Sequence, residues 1–139
     1  MTLLFPCRPD KDERTIRLGG SSLRMQMHAC SAGGAAFSLA FVDVADAAQV
    51  GVVLAALRAA AQANLGGPAT TKSWRARGAT PNEQSMLVRI DGHLPDGTNV
   101  VEHAAFFVKG MRLYQATALG GPLDADALAS FFDSIQVVS

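Results

Sequence analysis

NVVEHAAFFVKGMRLYQATAL, residues 99–119, holds two apolar runs on either side of Lys109 and Gly110. A two-residue turn at Lys109 and Gly110 sets Val108 opposite Met111, Phe106 opposite Leu113, Phe107 opposite Arg112 and Ala105 opposite Tyr114. Side chains alternate across a strand, so one face carries Phe106, Val108, Met111 and Leu113 and the other Val101, Ala105, Phe107, Tyr114 and Ala116. Both faces are apolar, and a strand pair of this kind must be covered on both sides. The expected fold is therefore α+β, an antiparallel β-sheet flanked by helices in an α/β/α sandwich. The same pairing makes one end of the hairpin polar. Glu102 faces Thr117 with Gln115 diagonal to it, while His103 points the other way. Such a spot either lines a pocket or is the solvated end of the sheet.

Working outward, strict alternation predicts strands at Thr15 to Leu18 and Leu23 to Ala29, turned by Gly19 and Gly20, and a third at Ala36 to Val42 that groups Phe37, Leu39 and Phe41. Asp46 and Gln49 have the spacing of a helix cap, and Val50, Val53, Leu54, Leu57 and Ala61 then recur at helical period. Gly66 and Pro68 end that helix, predicted over 46–65. Strands are expected at about 70–76, containing Trp74, and 84–91. Leu128, Phe131, Phe132 and Ile135 fall at i, i+3, i+4 and i+7, which predicts a second helix over 123–134 and a short last strand near Gln136 to Val138.

At 139 residues the chain reads as one domain, residues 1–139, long enough to bury a core without a metal. Charged residues make up 17 % with a net charge of zero, and no Lys/Arg cluster is present, so a nucleic-acid partner is rejected. The apolar run around Val50 to Ala61 is interrupted by Arg58 and is too short to cross a membrane. His28, His93 and His103 share no metal-ligand spacing, and the glycine pairs fit turns rather than phosphate loops. No catalytic residue, metal or cofactor is assigned.

The phrases FPCRP at Phe5 to Pro9, NLGG at Asn64 to Gly67, RLYQ at Arg112 to Gln115 and FFDSIQV at Phe131 to Val137 follow one another across nearly the whole chain. In that order they resemble small bacterial domains of the PsbP-like fold, most of them of unknown function. The resemblance implies an antiparallel sheet sandwiched by helices, frequent export or lipid anchoring, and action by binding rather than chemistry. It transfers no site residues, and Cys7 stands where a glycine is commoner in that pattern.

Cys7 and Cys30 are the two cysteines. Folding the first two strands about Gly19 and Gly20 brings Cys30 beside residues 9–11, a few positions from Cys7, within reach of a disulfide. Two free thiols are the other reading. The pair lacks C-x-x-C spacing for redox catalysis and enough companions for zinc, and Phe5-Pro6 before Cys7 disfavours lipidation. A bond would fasten an N-terminal tail poor in apolar contacts and imply an oxidising compartment. The functional expectation is a non-enzymatic binding or accessory module of the periplasm or cell envelope, partnered by a protein or a small apolar ligand. The alternatives are a cytoplasmic location and a small hydrolase or isomerase using His103 or His28 with a carboxylate such as Glu102.

Overall fold

The computed structural model describes residues 1–18, 20–121 and 123–137. Seven strands, β1 (Asp10–Leu18), β2 (Ser21–Ala32), β3 (Ala35–Asp43), β4 (Ala69–Ser73), β5 (Met86–His93), β6 (Asn99–Lys109) and β7 (Arg112–Gly120), form one sheet in the order β1-β2-β3-β7-β6-β5-β4. Every neighbouring pair is antiparallel. Helix α1 (Val50–Leu65) carries the chain from β3, beside the central β7, to the far edge at β4, and α2 (Ala125–Asp133) follows β7.

The core lies in two parts, one on each face of the sheet. Val53, Leu54, Leu57 and Ala61 of α1 pack with Val42, Ile90, Phe106, Val108 and Leu113. On the other face Phe131 and Phe132 of α2 pack with Phe37, Leu39, Ala105, Phe107 and Tyr114. The two-sided covering expected for the hairpin is thus met. Both edge strands are polar and exposed, β1 with Asp10 to Arg14 and β4 with Thr70 to Ser73, which discourages pairing with another chain.

The turn itself differs from expectation. Lys109 pairs with Arg112, Val108 with Leu113, Phe107 with Tyr114 and Phe106 with Gln115, so the two turn residues are Gly110 and Met111. A tight hairpin turn demands positive φ at its first central residue. Gly110 takes φ +60° there without penalty, whereas Lys109 in that place would be strained. Met111 accordingly sits in the turn, 47 % exposed, and not on the core face. Because the slip moves each partner by two residues, the membership of the two faces is otherwise unchanged.

The turn between β1 and β2 closes with Leu18 opposite Ser21; Gly20 has φ +81°, and Gly19 lies outside the described residues. Asp46 caps as expected, accepting from the Ala48 amide at 3.0 Å, but it caps a single 3-10 turn (Ala47–Gln49) ahead of α1, and the Gln49 side chain donates instead to Ser21 Oγ at 3.1 Å. Gly66 closes α1 in the left-handed conformation, its amide donating to Gln62 O at 2.9 Å. β4 stops at Ser73, so Trp74 lies beyond the strand, where its ring meets that of Phe107 edge-on at 5.7 Å. That contact packs this half-buried aromatic against the α2-side core. In place of a final strand, Gln136 makes isolated bridges to Thr2 and Arg77; Val138 lies outside the described residues.

Cys7 and Cys30 are joined by a disulfide with their Cα atoms 5.9 Å apart. Asp10 pairs with Ala29, so the β1–β2 register brings the two cysteines together as expected. The segment before Cys7 is richer in apolar contacts than expected. Met1, Leu3 and Phe5 pack against the α2-side core, Thr2 exchanges main-chain hydrogen bonds with Gln136 (2.8 and 3.0 Å), and the Leu4 amide donates to Ser134 Oγ at 2.9 Å. Residues 1–7 therefore form a strap alongside α2. Alternate positions of this short stretch, Met1, Leu3 and Phe5, supply its apolar side.

Candidate functional site

Helix α1 packs on β5, β6 and β7 and also reaches β1 at the edge, so the sheet curls round it. The N-terminal half of the helix fills the interface with Val53, Leu54 and Leu57 against Phe106, Val108 and Leu113. The C-terminal half presents Ala60 and Ala61, and the sheet presents Ala40 and Ser38, side chains too short to meet. A cavity of about 580 Å³ results, within the range of small-molecule sites, about 300–1,000 Å³.

Its walls are mainly apolar, with Ile16, Leu18, Met25 and Met27 from the first hairpin and Leu57, Leu65, Leu94 and Leu119 from the rest of the chain. The polar lining of the sheet side is Ser38, Glu102 and Gln115, all half-buried. Exposed Arg14, Asn64 and His93 stand at the rim. Ser38 and the buried Thr117 are cross-strand partners and share a hydroxyl–hydroxyl hydrogen bond. Glu102 sits opposite Leu119 and Thr117 opposite Ala104, which makes Glu102 diagonal to Thr117 and not its direct partner. The shared face expected for Glu102, Thr117 and Gln115 holds, and the polar end of the hairpin opens into a cavity.

Glu102 is the charged group set deepest in this lining. Among the described residues its carboxyl has no hydrogen-bond or ion-pair partner, and burial pushes its pKa up from 4.5 to about 7. The raised value favours the protonated form in the folded state. The contribution to stability is therefore complete below about pH 4.5 and is lost as pH rises through about 7. Allowing for partial solvent screening, Glu102→Gln should be more stable than the parent by about 2 kcal/mol at pH 8 relative to their difference at pH 4.5. Urea unfolding of both proteins at the two pH values measures this. His103, whose pKa is lowered first by burial and then by Arg89, titrates in both proteins and cancels from the difference. A gap between the two proteins that does not change with pH would contradict the desolvated carboxyl.

The histidines are not brought to Glu102. His103 is on the next position of β6 and points to the opposite face, beside Arg89 and Lys72. His28 also lies on that opposite face, in β2, as the alternation with Met25 and Met27 requires. The pairing of His103 or His28 with Glu102 is thus not formed. His93 does border the cavity, and its Nδ1 donates to Asn99 Oδ1 at 2.9 Å. Among the described residues no group of three His, Cys, Asp or Glu side chains is placed to hold a metal ion, and no helix is long and apolar enough to cross a membrane.

Periodicity alone points to Glu102, Gln115 and Thr117, but not to Ser38, Arg14 or the methionines as their companions. Those residues come from strands separated from β6 by more than 50 positions, and short alanines facing one another are the only local sign of a void. No family model, no curated protein and no solved structure matches this chain.

Proposed function

We propose that this chain is a non-enzymatic binding module of the bacterial periplasm or cell envelope, with a PsbP-like α/β/α sandwich fold, that holds a small apolar molecule between α1 and the sheet. The observation that carries the reading is the cavity itself, about 580 Å³, walled by leucine, isoleucine and methionine with a few polar groups on one side. The resemblance of the four ordered phrases to PsbP-like domains supports binding over chemistry. So does the separation of His28 and His103 from Glu102 by the thickness of the sheet, which leaves that carboxyl without the base that the alternative, enzymatic reading requires. The Cys7–Cys30 bond fits an oxidising compartment.

Titration with the neutral apolar fluorophore N-phenyl-1-naphthylamine tests the site. Saturable enhancement is expected, with affinity falling about tenfold or more in Ala61→Phe, whose ring would occupy the space that a ligand needs. Ala60→Phe serves as the second filling variant should the first unfold. Absence of saturable uptake by the parent, or unchanged uptake by folded filling variants, would remove the proposal.

A further inference from the structure

We propose that the occupant of the α1 cavity is a primary-ammonium amphiphile, its alkyl chain lying among Ile16, Met25, Leu57 and Leu119 and its head against Glu102, Gln115 and Ser38. This inference rests on the cavity being a binding site and names the class of its ligand. The walls call for a hydrocarbon body. The polar side calls for a donor-rich head. An ammonium offers three N–H donors. Facing it are the Glu102 carboxyl, the Gln115 side-chain amide and the Ser38 hydroxyl, which is held by its bond to Thr117 behind it.

Charge separates this head from its competitors. A carboxylate in an apolar wall is costly to ionise unless a cation meets it, and among the described residues none is paired with Glu102. Arg14, on β1, is engaged by Asp12 at 3.1 Å, and Arg58, on α1, is bonded to Gln84 and Met86. On β5, His93 is bonded to Asn99, and Arg89 pairs with Asp91 at 3.2 Å. The residues that β3 and β7 contribute to the lining, Ser38, Ala40, Gln115 and Leu119, are uncharged. A fatty acid would bring a second negative charge to Glu102. An alcohol would leave the ionised carboxylate uncompensated. An ammonium satisfies the carboxylate and stabilises its ionised form, so binding below neutral pH releases a proton. Affinity for the amine therefore rises with pH and levels off once Glu102 is ionised in the free protein, above about pH 7.

The test is displacement of bound N-phenyl-1-naphthylamine from the full chain by decylammonium, decanol and decanoate, in the parent and in Glu102→Gln, at about pH 6 and pH 8. At the higher pH decylammonium should bind the parent about tenfold or more tighter than either competitor. Glu102→Gln should weaken decylammonium by about tenfold while leaving decanol within about twofold. Parent affinity for the amine should fall several-fold at the lower pH. Decanol or decanoate displacing the fluorophore as well as the amine, or Glu102→Gln leaving amine affinity unchanged, would overturn the ligand class while the cavity remained a binding site. A parent that fails to take up the fluorophore at all would overturn both.

Discussion

Phe131→Ala should lower the unfolding free energy by about 3–5 kcal/mol, because a large ring is replaced by a void that its surroundings refill only in part. For a chain of this length that is a fall in Tm of roughly 10–15 °C. Phe131 is 1 % exposed and ties three parts of the protein together. Its ring meets Phe37 of β3 at 5.1 Å, Phe5 of the N-terminal strap at 5.8 Å and Phe132 of α2 at 5.1 Å, each edge-on. Such edge-to-face pairs add to the area term by about 0.5–1.5 kcal/mol each. Phe131→Leu, which retains most of the volume, should cost much less. Thermal unfolding followed by circular dichroism distinguishes the two. A Phe131→Ala protein within about 3 °C of the parent would mean that α2 and the strap do not pack on β3 as described.

Loss of the Cys7–Cys30 bond is the second large effect. The bond closes a loop with a sequence separation of 23, and cross-linking a loop of that size removes conformational entropy from the unfolded chain worth about 3 kcal/mol. Cys30→Ser, or reduction of the parent, should lower Tm by roughly 10 °C. The strap adds a second consequence. With Cys7 released, Met1, Leu3 and Phe5 are held by their own packing and by the hydrogen bonds of Thr2 and Leu4, so amide exchange at Thr2 and Leu4 should accelerate before that of the central strands. Mass spectrometry of oxidised, unreduced protein should show it lighter by two hydrogens. Two freely alkylatable thiols in that material would refute the bond and, with it, the physical support for an oxidising compartment. Cys30→Ser unfolding at the same temperature as the oxidised parent would show that the cross-link constrains nothing the fold does not already hold.

The sequence alone determined which residues share a face. Phe106 with Val108 and Phe107 with Tyr114 follow from the alternation of a strand, and this survives even a misplaced turn. Moving the turn from Lys109-Gly110 to Gly110-Met111 shifts every partner by two positions, which changes the neighbour and keeps the face. Helix α1 was likewise legible to its end, because Val53, Leu54, Leu57 and Ala61 repeat at helical period and Gly66 stops them. The Cys7–Cys30 pairing was one of two open readings, and the β1–β2 register decided it.

Tertiary structure decided the site. A cavity is a mismatch between surfaces that are distant in sequence. Ala60 and Ala61 are unremarkable helix residues until the curled sheet sets Ala40 and Ser38 across from them. The raised pKa of Glu102 has the same origin, since its carboxyl is desolvated by whatever α1 and the β1–β2 hairpin bring over it, and no local pattern specifies that. The opposite facing of His103 and Glu102, by contrast, needed no tertiary information, since strand alternation already sends neighbours to opposite sides of the sheet. Short-range alternation and helical period are properties of a few consecutive residues and can be read directly. Space, solvent exclusion and the company that a charge keeps depend on how the whole chain closes.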